Sequence, residues 1–257
     1  ESGYDYSSAI FGSDLTDPVE IGRSAADRAL KKLGARKPPS AKVPVVFDPR
    51  VSGGLVRHLT SAINGAAIAR GTSFLKDKMG QAVMSSGITI VDDPHRARGL
   101  ASKPFDAEGL ANKRRNLVEN GILQTWILDL RAARQLGLTS TGHASRGTSS
   151  PPSPSTTNLH LETSTVSPTD LISDIKSGFY ITSVMGMGVN MVTGDYSRGA
   201  SGFWIENGQI AYPVNEVTIA GNLMDMFLAM TPADDLDFKY ATNAPTIRID
   251  GMMVAGT

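Results

Sequence analysis

The sequence predicts an α+β fold, with N-terminal helices packed on a mainly antiparallel, barrel-like β region. Three observations carry that prediction. Capped segments with helical apolar spacing occupy the first 69 residues. Two Asn-Gly turns flanked by apolar residues, Leu117 to Leu123 and Trp204 to Ile210, mark β-hairpins, because both turn residues tolerate the positive φ that a type I′ turn demands. Beyond residue 88, short strand-like runs follow one another with turn residues between them. At 257 residues with 40% apolar side chains, the chain can bury a substantial core.

Near the start, Asp17-Pro18-Val19-Glu20 supplies an N-cap, a proline at the first helical position and an acid three residues after the cap. A helix is predicted from there, with Val19, Ala26, Ala29, Leu30 and Leu33 on one face and Gly34 followed by Pro38-Pro39 as its stop. Residues 31–42 form a basic, proline-containing connector, and residues 1–42 together read as a helix and connector remaining from a preceding region. The main domain is placed at 43–257. Val43 to Phe47 is short and β-branched, hence a strand, which Asp48-Pro49 ends. From Val51 to Ala69, Leu55, Leu59, Ala62, Ile63 and Ala66 return on one side, which predicts a packed helix.

Ile88 to Val91 alternates as a strand, and Asp129 to Gly137 reads as a short helix with a glycine stop. Ser145 to Ser155 is too polar to offset its ordering entropy by burial and is expected to be a mobile surface loop. Ser167-Pro168-Thr169-Asp170 opens another helix, which Gly178 is expected to end. Strands are then predicted at Phe179–Val184, Gly188–Thr193 and Gly202–Ile205, a short helix at Gly221–Ala229 and a last strand at Thr246–Ile249.

Composition narrows the function. With 25 basic and 25 acidic residues, the chain lacks the charge excess of a nucleic-acid binder, and direct nucleic-acid binding is not expected. Zero cysteines exclude disulfides, thiolate metal sites and a cysteine nucleophile, and fit a reducing compartment. No apolar run approaches the ~20 residues of a membrane span, and Glu1-Ser2-Gly3-Tyr4-Asp5-Tyr6 is not a signal peptide. The sequence, which begins without methionine, is read as a processed or truncated piece of a longer cytoplasmic protein without membrane partners.

The chain has four histidines: His58, His95, His143 and His160. No two share a helical face at metal-binding spacing, so no zinc-hydrolase cluster is expected, and no metal is assigned. His58 lies on the helix after the first strand, where a structural role and a ligand role both remain open. His95 follows Asp92-Asp93-Pro94 and reads either as a chelating group with those acids or, more plainly, as a solvated turn. No Gly-x-Ser-x-Gly elbow or Walker lysine is present, and Gly186-Met187-Gly188 lacks the third glycine of a dinucleotide fingerprint. Lys113-Arg114-Arg115 reads as a solvated edge device balanced by Asp106, Glu108 and Glu119. Thr193 to Gly202 is the densest polar and glycine-rich segment, either a bulge whose Asp195 and Arg198 pair with each other or a loop that binds peptide backbone.

Three segments resemble the TldD/PmbA family, the so-called modulators of DNA gyrase: Gly99-Leu100-Ala101-Ser102-Lys103-Pro104-Phe105-Asp106-Ala107-Glu108-Gly109, Ala133 to His143, and Gly194-Asp195-Tyr196-Ser197-Arg198-Gly199-Ala200 running into Gly202 to Gly208. The resemblance covers essentially the whole chain and points to the PmbA (TldE) branch, with residues 43–257 as the family's C-terminal domain. It implies a cytoplasmic protein that partners a TldD-like catalytic subunit in a heteromeric metalloprotease acting on small or unfolded peptides. In the TldD branch a helix carries His-Glu-x-x-x-His; the corresponding residues here are His58-Leu59-Thr60-Ser61-Ala62-Ile63. Only His58 matches, with Leu59 in place of the acid and Ile63 in place of the second histidine.

The resemblance therefore implies a subunit with no catalytic residues of its own and no cofactor, zinc being expected in the partner. His143, Asp195, Tyr196 and Arg198 are the residues expected to meet peptide. The alternatives are a stand-alone metallopeptidase with an atypical site, using His58, His143 and an aspartate, and a gyrase-associated or nucleic-acid-associated regulator. A homodimer of the isolated chain is a further assembly.

Overall fold

The computed structural model describes residues 1–256. Asp17 caps α1 (Pro18–Leu30), its carboxylate accepting the Val19 N–H at 2.7 Å. The helix stands where the cap and proline put it, yet none of its residues is buried, and Val19, Leu30 and Leu33 face solvent. It is held instead through Arg28, whose guanidinium meets Asp5 at 3.0 Å. After β1 (Ala41–Phe47), Asp48-Pro49 does more than end the strand: Asp48 caps α2 (Pro49–Ala62), and Pro49 is its first residue. The helix expected to run on to Ala69 breaks at Asn64, whose side chain caps a separate α3 (Gly65–Ala69) by accepting the Ala66 N–H at 3.0 Å. A side-chain oxygen that can satisfy a backbone N–H competes with helix continuation.

Next come β2 (Ile90–Asp92), β3 (Arg115–Glu119) and β4 (Ile122–Leu123), α4 (Leu130–Leu136), β5 (Ala144–Ser145), β6 (Ser153–Pro154) and β7 (Leu159–Leu161). The expected loop at 145–155 is thus pinned at its ends, where Ser145 pairs with Ser153. The remaining elements are α5 (Pro168–Ser173), β8 (Ser177–Val189), β9 (Asp195–Glu206), β10 (Gln209–Asn222), α6 (Leu223–Leu228), β11 (Met230–Pro232), β12 (Thr242–Asn243) and β13 (Ile247–Ala255). Gly178 is therefore not a helix stop but lies inside β8, where a Cβ would stand 2.9 Å from the Pro44 carbonyl oxygen. β8 takes in the strand expected at 179–184 and only the first two residues of the one expected at 188–193, since residues 190–194 turn the chain into β9; its register is irregular between Met185 and Gly188. The segment from Thr193 to Gly202, read as a bulge or a loop, is mostly the first half of β9.

β1 closes the larger sheet. It runs parallel to β8 from Val45↔Phe179 to Phe47↔Ile181 and antiparallel to β13 from Ala41↔Val254 to Phe47↔Ile247. With β8–β9, β9–β10 and β10–β13 all antiparallel, the five strands form a closed barrel. The second edge of β13 is shared: β11 covers Ile247–Ile249 and β10 covers Met253–Ala255. A second sheet runs β12-β7-β2-β3-β4, and α2 packs between the two, against β8 on one side and β7 and β12 on the other. This is the predicted α+β architecture with a barrel-like β region. Among the described residues no helix is long and apolar enough to cross a membrane.

Both Asn-Gly turns form as expected. Asn120 and Gly121 have φ of 48° and 78°, Asn207 and Gly208 have 49° and 75°. At Gly208 an added Cβ would also stand 2.4 Å from the Ser173 carbonyl oxygen at the end of α5. Gly208→Ala is therefore expected to destabilise the chain by about 1–3 kcal/mol, read as a lower urea midpoint. An unchanged midpoint would contradict the close seating of this turn on α5.

Candidate functional site

The two faces of α2 have different fates. Leu55, Val56, Leu59 and Ala62 enter the main core, whereas Gly54, Arg57 and His58 border a cleft of about 1300 Å³. Its other walls are α1, the Tyr180–Val184 stretch of β8, Arg198 and Phe203 on β9, and Ile210 to Pro213 on β10. At its rim, Asp48 accepts the Arg50 Nε–H at 2.9 Å and the Tyr180 hydroxyl at 3.2 Å. Burial lifts the Asp48 carboxyl to about 6, while the Tyr180 hydroxyl and the Arg28 charge pull it down and Asp235 adds to the rise.

His58 packs edge-on against the Tyr196 ring, with centroids 5.8 Å apart. Burial, followed by the positive charges of Arg198 and Arg57, lowers its pKa to about 4. The imidazole is therefore neutral near pH 7. Burial raises the Tyr196 phenol to about 12, with Arg198 opposing, so it stays protonated. The folded chain binds the His58 proton less readily than the unfolded chain between about 4 and the ordinary 6.5. Stability consequently rises with pH across that window and is lost as pH falls through it, by at most about 3 kcal/mol. Thermal unfolding from pH 4 to 7 should show a shallower acid slope in His58→Gln; equal slopes would mean that the native ring protonates as readily as in water.

The same surroundings do not suit a metal ion. Leu59 and Ile63 are fully buried in the core, and neither carries a donor atom. Two guanidiniums bear on the only imidazole of the cleft. Among the described residues no three His, Asp or Glu side chains gather closely enough to hold an ion.

Of the residues expected to meet peptide, the structure brings Tyr196 and Arg198 to His58 and leaves the other two elsewhere. Tyr196 is buried behind the imidazole, and Arg198 lines the cleft with its Nε–H donated to the Met185 carbonyl at 3.1 Å. Asp195 does not pair with Arg198; it accepts the Thr193 hydroxyl at 2.6 Å at the start of β9. His143 is buried apart from the cleft, with Nε2 3.2 Å from Asp92 and Nδ1 2.8 Å from the Thr141 hydroxyl. His95 forms no chelate with Asp92, which faces Thr157 and His143; its Nε2 meets Asn112 at 2.8 Å. His160 packs edge-on against Phe238. In the basic run, Arg114 pairs with Glu162 at 3.4 Å rather than with any of the three expected acids. Sequence reasoning missed Arg57 and Tyr180. The signal for Arg57 was present, a cation adjoining His58; Tyr180 carried none, since its place depends on β8 lying beside β1.

The sequence profile of the PmbA/TldA metallopeptidase C-terminal domain matches residues 40–256. Metalloprotease PmbA of Escherichia coli O157:H7 is 39% identical over 257 residues, covering all of this chain and 55% of that protein. A Metalloprotease PmbA homolog of Haemophilus influenzae is 40% identical over 257 residues, again all of this chain and 55% of its own length. The chain thus spans about half the length of the curated relatives it matches. A Thermotoga maritima structure described as a modulator of a DNA gyrase superposes with a TM-score of 0.86 at 33% identity, over 96% of this chain and 57% of that one. TldE from Thermococcus kodakarensis, at 24% identity and a TM-score of 0.83 over 95% of this chain and 56% of that one, shares the fold.

Proposed function

The chain belongs to the PmbA/TldD metallopeptidase family, on its PmbA/TldE branch, and from that premise we propose that it is the non-catalytic partner of a TldD-like subunit in a peptide-degrading complex. The observation that carries this reading is the α2 helix, which turns His58 to the cleft while Leu59 and Ile63 lie in the core. Activating water requires a base and an electrophile beside it. A single imidazole under the positive charge of Arg198 and Arg57 is a poor seat for a cation, and Leu59 supplies no carboxylate base. Zinc and water activation then belong to the partner subunit, and the cleft of this chain holds and orients peptide.

In that role Arg198, fixed by its bond to Met185, presents charge to the cleft, and Tyr196 sets the tilt of His58 from behind. Asp195 and His143, engaged with other protein groups, would shape the surrounding loops rather than touch peptide.

The test is to purify the chain alone and together with a TldD-like subunit of the same cell, then measure zinc content and hydrolysis of an unfolded peptide with and without chelator. The expected result is association of the two, zinc on the partner and cleavage only where the partner is present. Stoichiometric zinc with chelator-sensitive cleavage by this chain alone would overturn the proposal and establish a stand-alone metallopeptidase.

A further inference from the structure

We propose that Arg57 and Arg198, which line the cleft beside the His58 imidazole, form a carboxylate receptor that anchors one end or one acidic side chain of a bound peptide. The inference rests on the reading of the chain as a peptide-holding subunit and names the chemical group it would grip.

Charge accounting in the cleft points to an anion. Seven of its lining side chains are Arg or Lys and three are Asp or Glu. Arg50 is neutralised by Asp48 at 2.9 Å and Arg28 by Asp5 at 3.0 Å. Neither Arg57 nor Arg198 has a carboxylate partner among the described residues. Both line the same cleft, Arg57 next to His58 on α2 and Arg198 two residues along β9 from Tyr196, the ring on which His58 packs.

The donors are also arranged for use. Arg198 commits its Nε–H to the Met185 carbonyl, which fixes the guanidinium plane and leaves its terminal nitrogens for a ligand. Arg57 lies along the side-chainless face of Gly53 and Gly54, its terminal nitrogens 3.8 and 4.0 Å from where their Cβ atoms would stand. The His58 ring nitrogens have no hydrogen-bond partner among the described residues and are not counted with the buried unpaired atoms. A guanidinium fork matches the two oxygens of a carboxylate, and such charge-assisted bonds are about twice as strong as neutral ones.

The rest of the cleft selects peptide over polyanion. Val184, Phe203, Ile210 and Pro213 offer apolar surface to neighbouring side chains, and about 1300 Å³ exceeds what a single small molecule fills.

The experiment measures binding of the full chain to three versions of one fluorescent hexapeptide by anisotropy: free acid, C-terminal amide, and amide with an internal glutamate. At least one carboxylate-bearing version is expected to bind about tenfold tighter than the plain amide. Preference for the free acid assigns the terminus as the source, and preference for the glutamate version assigns the side chain. Arg57→Gln is expected to reduce that preference to less than about threefold and Arg57→Lys to restore part of it, because lysine keeps the charge without the fork. Arg57 is exposed, so equal melting temperatures of the variants and parent serve as the folding control. Equal binding of all three peptides, or a preference untouched by Arg57→Gln together with Arg198→Gln, would overturn the inference. Failure here leaves the partner proposal standing, since association with a TldD-like subunit is measured without peptide. Failure of that association leaves the carboxylate preference as measured.

Discussion

Leu59→Glu is expected to unfold the chain or bring it to the edge of unfolding, with a loss of at least about 4 kcal/mol. Leu59 is 0% exposed within the main core. A carboxyl at that position would lose its water and find only hydrocarbon, and single domains hold a margin of only about 5–15 kcal/mol. The substitution restores the acid of the His-Glu-x-x-x-His pattern, so it doubles as a probe of the proposed function. Leu59→Met, which conserves volume and polarity, should cost less than about 1.5 kcal/mol. Urea denaturation followed by circular dichroism separates the two. A Leu59→Glu variant with a parental midpoint would show that α2 turns this position to the cleft, removing the main support for a silent subunit.

Asp92→Ala is expected to cost about 3–5 kcal/mol, the second large effect. The side chain is 1% exposed at the end of β2. It accepts the Thr157 N–H at 2.6 Å and the Thr157 hydroxyl at 2.9 Å, and it lies 3.2 Å from His143 Nε2. Alanine would leave those groups buried without their partner, and His143 would keep only Thr141. Because the damage is to packing and polar satisfaction, the expected signature is a lower urea midpoint with an unchanged slope. A loss under about 1 kcal/mol would mean that water enters and replaces the carboxylate.

These two side chains also show where sequence stops being informative. The Asn-Gly turns and α4 were legible because their geometry is encoded within a few residues: Asp129 caps the helix by accepting the Ala132 N–H, and Gly137 closes it at φ 66°. Of the long strands β8 and β9, the stretches 179–184 and 202–205 were legible and the full lengths were not. Gly188 and Gly202 sit where a Cβ would come within 2.1 Å of the Ser197 carbonyl oxygen and 1.9 Å of the Tyr180 carbonyl oxygen. They are glycine because the backbones of the neighbouring strands β8 and β9 press together near irregularities of their register, whereas the polar, glycine-rich first half of β9 reads as bulge or loop in a bare sequence. The cleft was illegible for a related reason: α1, α2 and three barrel strands meet there from distant parts of the chain.

The segments that carried the family resemblance are largely architectural. Asp106 is buried and accepts the backbone N–H groups of Glu108, Leu110 and Ala144 at 2.9, 2.9 and 3.1 Å. Glu108 accepts the Leu130 N–H at 2.8 Å at the start of α4. Gly99 leaves room for the Asn158 amide, which accepts the Ala101 N–H at 2.9 Å. Such residues identify the fold reliably and say little about which member performs hydrolysis.

The barrel seam has a consequence for biosynthesis. β1 leaves the ribosome well before its partners, which are residues 179–181 and 247–254. The apolar Val43, Val45, Val46 and Phe47 therefore wait, unpaired, for nearly the whole domain to be translated. Contacts so distant along the chain slow the final closure and expose a sticky strand in the meantime. Nascent-chain capture by a holdase should accordingly persist until residue 255 has cleared the exit tunnel, then end abruptly as the last strand docks.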